Sequence, residues 1–302
     1  MNHSNTSVIS EGVRLSVAIG WSVLTVTTIG LYTLVAVGVI KFWQELKNPF
    51  YTIITHLGIS DFGFALVNVF VMIPITLVGK PIYSQSLELF LARGNTFFAL
   101  TIFLHSFTVT LQRFCVFLAP KLNDKLFGVG KVHYTMMFTW ALAVCIVLLP
   151  IFIVNVFLPP IMMCMYVSVF VYLRCQKKTS KVNAAATNAA GKARKKRRAK
   201  AERSLLFQGF FICVFLQVMS LLFWFIPSNT VWGPLVLGTF MVVNNACNPC
   251  IYLIFNSTIR EKVYLMLGVT ITPKAATTGG TAGQNGPAAS KTNRSANQTT
   301  KT

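Results

Sequence analysis

Apolar run length restricts this chain more than any other feature. An α-helix needs about 20 apolar residues to cross a hydrocarbon core of roughly 30 Å. Runs of that order occupy about 16–40, 51–78, 94–118, 205–227 and 233–255, and a longer one extends from His133 to Arg174. The long run contains no Asp, Glu or Lys. As one helix its 42 residues would reach about 63 Å, twice the bilayer thickness. Pro150, Asn155, Pro159 and Pro160 lie near its middle, where they can break a helix and form a turn. It reads as two spans with almost no loop, giving seven in all.

Charge placement supports that division. The chain has 27 Lys and Arg against 7 Asp and Glu, a formal net charge of +20. With seven spans and an outside N-terminus, only Arg14, Lys80 and Arg93 fall on the outer side. With six spans, the cluster "KARKKRRAKAER" (192–203) would be on the wrong side of the membrane. The positive-inside rule therefore favours seven. The same placement decides what the bases are for. Beside two spans, the cluster reads as a cytoplasmic segment facing anionic inner-leaflet lipid, and nucleic acid is not expected as a partner. The stretch before it, "KVNAAATNAAGKARKK" (181–196), reads as a loop or a frayed helical extension.

The expected class is an all-α membrane protein, a seven-transmembrane helix bundle with its N-terminus outside. Residues 1–15 form an extracellular N-terminus and 16–255 the transmembrane domain, with a basic third intracellular loop at 176–204. A short amphipathic surface helix follows over 256–269. It opens on a capping box, Thr258 with Glu261, and carries Ile259, Val263 and Met266 at helical spacing. Residues 270–302 are too poor in apolar side chains to pack and are expected to form a disordered cytoplasmic tail. Asn2 and Asn5 head glycosylation sequons on the predicted outer side; Asn293 and Asn297 head sequons in the predicted cytosolic tail. The seven cysteines lie within or beside apolar runs, so no disulfide framework is expected.

Ionisable groups inside a membrane are costly, and each is a candidate for function. Asp61 is the only acid well inside a span. Asn244, Asn245 and Asn248 lie in the last span, where Pro249 removes a backbone donor and Tyr252 follows one turn later. His105 and Ser106 lie in the third span, two turns before Arg113. One acid, several amides and a broken helix suggest a buried polar network with two arrangements. Helix packing by ordinary hydrogen bonds, at about 0.6 kcal/mol each, is the competing reading.

Asp61 in the second span, Arg113 closing the third and "NPCIY" (248–252) closing the seventh resemble the rhodopsin-like G-protein-coupled receptors. More narrowly, "LQRFCVFLAPKLNDKLFG" and "NPCIYLIFNSTIREKV" look like the nematode serpentine chemoreceptors of the srx type. "NPFYTIITHLGISDFGFAL" and "LLFQGFFICVFLQ" fit the same picture, so the similarity runs to about Val269. The resemblance implies a small-molecule ligand entering from outside and a heterotrimeric G protein docking inside. It implies an activation switch of Gln112, Arg113, Asn248, Pro249 and Tyr252, and a central polar network of Asp61, Asn244 and Asn245. A sensory neuron's plasma membrane is the implied location.

The chain departs from the wider family at several points. The first span has Leu31 beside Gly30 where relatives carry an asparagine. Trp224 and Pro227 lie near the outer end of the sixth span, which reads as an interface anchor. No cysteine pair is placed for the usual extracellular disulfide. The second extracellular loop is nearly absent, which leaves two readings: an open, lipid-accessible pocket, or an incomplete or degenerate copy, the latter favoured. Relatives also place an acid where Gln112 stands. A glutamine offers a neutral hydrogen bond, roughly half as strong as a charge-assisted one, and so a weaker resting lock on Arg113. Arg113 itself is expected to snorkel to the cytoplasmic interface.

Residues 233–255 contain no lysine, which excludes a retinal Schiff base, and Asn95 stands where an amine receptor would carry an acid. The ligand pocket is expected around Asn95, Phe98 and His105, beside Phe97. No cofactor, metal set or enzyme constellation is visible. A transporter or channel is the alternative class, and the internal repeats or paired broken helices it would show are not seen.

Overall fold

The computed structural model describes residues 9–46, 48–128, 130–147, 152–182, 189–226 and 232–269, with side chains except at 152–156, 176–203, 205 and 223–224. Asn2, Asn5, Pro150, Pro227 and the tail from 270 lie outside the described residues, as do the side chains of Trp224 and the basic cluster.

Among the described residues the chain is helical throughout. It runs α1 (Glu11–Lys41), α2 (Pro49–Val67), a π turn (Asn68–Met72), α3 (Ile73–Val78), α4 (Gln85–Leu118) and α5 (Pro120–Phe127). There follow α6 (Lys131–Val147), α7 (Phe152–Val182), α8 (Ala189–Phe225), α9 (Gly233–Phe255) and α10 (Ser257–Met266). Five helices are long and apolar enough to cross a bilayer: α1, α2 with α3, α4, the 157–175 part of α7, and α9. α6 qualifies only together with α5, across a bend of 74°, and Leu206–Leu222 of α8 is a shorter apolar helix; with these two the bundle has seven apolar segments. They form a closed ring in which α1 meets α9, α9 meets α8, α8 meets α7, α7 meets α4, and α6 touches both α4 and α2. α4 lies at the centre, against α2, α5, α6, α7 and α8. The main core gathers there, from Phe50, Ile53, Leu57, Val109, Met162, Tyr166, Leu216 and Tyr252.

Several boundaries differ from the sequence expectation. α1 begins at Glu11, not 16, because Ser10 Oγ caps the Val13 N–H at 3.4 Å. α4 begins at Gln85 rather than 94, since its polar first turns form good helix outside an apolar window. Pro159 and Pro160 do not form the turn; they sit inside α7, which has already restarted at Phe152. The segment 176–204, read as a loop that could include a frayed helical extension, is helical at both ends, as the last turns of α7 and the first of α8. Ala, Lys and Arg there are strong helix formers.

Two proline-freed carbonyls are each taken by a tyrosine. Pro74 cannot donate to Phe70 O, and Tyr83 OH donates to it at 2.6 Å. Pro249 cannot donate to Asn245 O, and Tyr32 OH reaches it at 3.4 Å from α1. In lipid no water is at hand for such groups, so side chains must satisfy them. The end of α3 is closed in a related way. Gly79 takes φ +73°, and Arg14 from α1 donates to Thr76 O and Leu77 O at 2.6 and 2.5 Å. The left-handed φ at Gly79 favours glycine, and a Cβ there would also lie 2.7 Å from the Arg14 guanidinium and push it aside.

The cap of α10 corrects another expectation. Asn256, not Thr258, is the N-cap: its Oδ1 accepts from Ile259 N at 3.1 Å while its own N–H donates to Tyr252 O. The chain turns at Asn256, so Thr258 already lies inside the helix. Ile259 and Val263 are buried against Val35, Val39 and Leu46, and Lys262 pairs with Glu45. α10 is therefore docked on the end of α1 as well as amphipathic.

Candidate functional site

The central acid is sealed inside the bundle. Asp61 is fully buried on α2, and Asn248 Nδ2 of α9 donates to both carboxylate oxygens, at 3.1 and 3.0 Å. Asn245 Nδ2 donates to Asp61's backbone carbonyl at 3.2 Å. Pro249 follows Asn248, and the carbonyl it frees is the one held by Tyr32. α1, α2 and α9 are thus joined at one level by side-chain hydrogen bonds. Such a cluster does two things: it satisfies a costly buried acid, and it couples a weakened point of α9 to its neighbours.

Asn244 is not part of this cluster. It is half-buried and lines a cavity of about 30 Å³ with Phe64, Ile102, Leu216 and Met241, between α2, α4, α8 and α9. Tyr252 is buried, and it borders a crevice of about 360 Å³ between α1 and α2, lined also by Val39, Ile54, Ile59 and Phe62.

Arg113 does not snorkel. It is only 6% exposed, and its guanidinium carbon lies 3.6 Å from the ring centroid of Phe50, at the start of α2. Phe50 is held there because Asn48 caps α2, its Oδ1 accepting from Phe50 N at 3.0 Å, with Pro49 in the first turn. Gln112 is also buried, and its Oε1 has no hydrogen-bond partner among the described residues. The neutral bond expected from Gln112 to Arg113 is therefore not made through that oxygen.

The three residues expected around a ligand are not gathered in one place. Asn95 and His105 are ten residues apart on α4, about 15 Å along the axis. Phe98 packs onto α2, where a Cβ on Gly63 would lie 2.2 Å from its ring. His105 is fully buried. Its Nδ1 lies 2.8 Å from Thr101 O and 3.2 Å from Ser60 Oγ, and its ring meets Trp140 edge-on at 5.0 Å. Trp140 Nε1 in turn donates to His56 Nδ1 at 3.1 Å. This cluster pins α2, α4 and α6 together.

Sequence reasoning did not find Tyr32, Phe50, His56 or Trp140. The signal for Tyr32 was present: a proline in α9 frees a carbonyl, and some polar side chain must take it. The other three sit in apolar runs where an aromatic reads as core. Among the described residues no group of three His, Cys, Asp or Glu side chains could hold a metal ion, and no disulfide joins the cysteines.

Residues 24–156 match the family model for the serpentine type 7TM GPCR chemoreceptor Srx, and residues 147–276 match that for the serpentine type 7TM GPCR chemoreceptor Srt. No curated protein matches. Squid rhodopsin is similar in structure, with TM-score 0.75 and 19% identity over 90% of this chain and 91% of that one. The fold is therefore that of rhodopsin. The srx resemblance read from the sequence is met by a match over residues 24–156, whereas residues 147–276 match the Srt model instead.

Proposed function

We propose that this multi-pass protein of serpentine chemoreceptor type is a chemosensory receptor that binds a small extracellular ligand and activates a heterotrimeric G protein. The observation that carries the reading is the Asp61–Asn248 clamp beside Pro249, on the same bundle that buries Arg113 at the end of α4. A buried acid tied to a proline-weakened helix gives two packings separated by a small free-energy difference, which a ligand can shift by binding one of them better. Asp61, Asn245 and Asn248 form the central network, with Asn244 facing the adjacent cavity. Gln112, Arg113, Pro249 and Tyr252 act as the switch. Ligand enters from the outer side, where Asn95 and Phe98 are the candidate contacts, while His105 holds helices together beneath them. The basic start of α8 faces anionic lipid on the inner side of a sensory neuron's plasma membrane, with the N-terminus outside.

The test is surface expression in a reporter cell with a small-molecule panel. A ligand-dependent response that disappears in Arg113→Ala at unchanged surface level is the expected result. Ligand-independent ion flux instead would indicate a transporter or channel.

One observation supports the incomplete-copy reading beside this one. The two family matches overlap only at 147–156, where α6 ends at Val147 and α7 restarts at Phe152. The short connection and the change of family model coincide. Sequencing the transcript across codons 145–165 tests it: an additional segment there restores an outer loop, and an uninterrupted reading refutes the idea.

A further inference from the structure

We propose that Phe50 is a positioning residue for Arg113, an aromatic latch that holds the arginine inside the bundle and limits basal signalling. This rests on the receptor reading above and adds a residue that the sequence comparison did not point to. The guanidinium lies 3.6 Å from the centroid of the Phe50 ring, close enough for face-on stacking. Both partners are covered, Phe50 to 2% and Arg113 to 6% exposure. A desolvated cation over an aromatic face is held more strongly than an exposed one. The ring's own position is fixed from three sides. Asn48 caps its N–H at 3.0 Å, Tyr51 meets it edge-on at 5.6 Å, and it belongs to the main core with Ile53 and Val109.

The geometry answers a question raised by Gln112. With no acid at that position, an ion pair with its neighbour in sequence cannot hold the arginine. Phe50 supplies an attraction of another kind, from α2 instead of α4. In this arrangement the guanidinium is stacked and covered, and it must leave the ring to meet a partner at the inner face. The contact therefore stabilises the closed arrangement selectively, which is what a latch requires.

Fluorination separates this role from packing, because fluorine drains the ring's negative face with little change in shape. Phenylalanine, 4-fluorophenylalanine and 3,4,5-trifluorophenylalanine are placed at position 50 of the full chain. The thermal midpoint of the purified receptor is read with a thiol-reactive dye, and basal nucleotide exchange is read on a panel of heterotrimeric G proteins. The expected result is a midpoint that falls stepwise and basal exchange that rises stepwise, reaching about tenfold for the trifluoro ring. In an Arg113→Leu background the thermal series becomes flat. A flat thermal series in the natural background overturns the contact itself. A thermal slope with unchanging basal exchange overturns the latch, provided that agonist still stimulates exchange. If no ligand, G protein or variant gives any exchange while the thermal slope persists, the contact stands and the receptor reading, with the latch built on it, falls. Phe50→Leu is the volume control: it is expected to raise basal exchange at least as much as the trifluoro ring, and a fall would count against the latch.

Discussion

Asn248→Ala is the substitution whose effect follows most directly from the geometry. A single amide nitrogen contacts both oxygens of a fully buried carboxyl group, at 3.1 and 3.0 Å. Truncation leaves both oxygens without that donor in a site closed to water. A hydrogen bond to a charged partner is worth about 1.5–3 kcal/mol, whereas interhelical bonds in a membrane average about 0.6. The Asp61 pairing lies toward the upper range because one amide donates to both oxygens of a fully buried carboxyl group, even with the Tyr32 hydroxyl as a second polar neighbour. A loss of about 2 kcal/mol corresponds to a midpoint lowered by about 3 °C for a chain of this size. The assay is thiol-dye melting of purified protein, which reads exposure of buried Cys115 and Cys213. Asp61→Ala and the double variant complete a cycle, in which coupling of at least about 1.5 kcal/mol is expected. Coupling near 0.6 kcal/mol would reduce the clamp to ordinary packing and remove the main support for a special central network.

Gln112→Glu places an acid beside Arg113 and is expected to lower basal signalling; an unchanged level at equal surface expression refutes the weak-lock idea. Gly209→Ala is expected to cut surface yield several-fold, since a Cβ there would lie 1.8 Å from the Tyr166 hydroxyl. Yield equal to the parent chain would show that Tyr166 moves aside freely. Glycosidase treatment is expected to shift the band through sugars at Asn2 or Asn5, and sugars mapped instead to Asn293 or Asn297 would reverse the topology.

Much of the architecture was legible because membrane solvation leaves a one-dimensional trace. Run length located the spans, and base placement separated α6 from α7 within one apolar stretch. The family resemblance drew Asp61 toward the asparagines of the last span, but the specific pairing with Asn248 was not legible, since no periodicity brings residues 61 and 248 together. What remained hidden was long-range and aromatic. In a soluble protein a buried tyrosine or tryptophan stands out against polar neighbours; in "TTIGLYTLV" Tyr32 reads as one more apolar residue. Arg113 was placed correctly at the end of its span, but its destination depends on which ring α2 presents. The helical run before 94 was missed because its helix formers carry polar side chains that a hydropathy window discounts. Thr258 looked like a cap because its box pattern is local, whereas Asn256 won by already closing the preceding helix.

The Tyr32–Asn245 bond also bears on how the chain is made. It joins residues 213 apart, and Asp61 waits for a partner 187 residues downstream. Both links belong to α9, the last span to leave the ribosome. Until then the first two spans sit in lipid with Asp61 lacking its amide donor from α9 and no closing neighbour, so the ring cannot lock in stages from its N-terminal end. Shortened products that end before α9 keep this defect permanently. They are expected to be removed by membrane quality control, which makes the final span the checkpoint for the whole bundle.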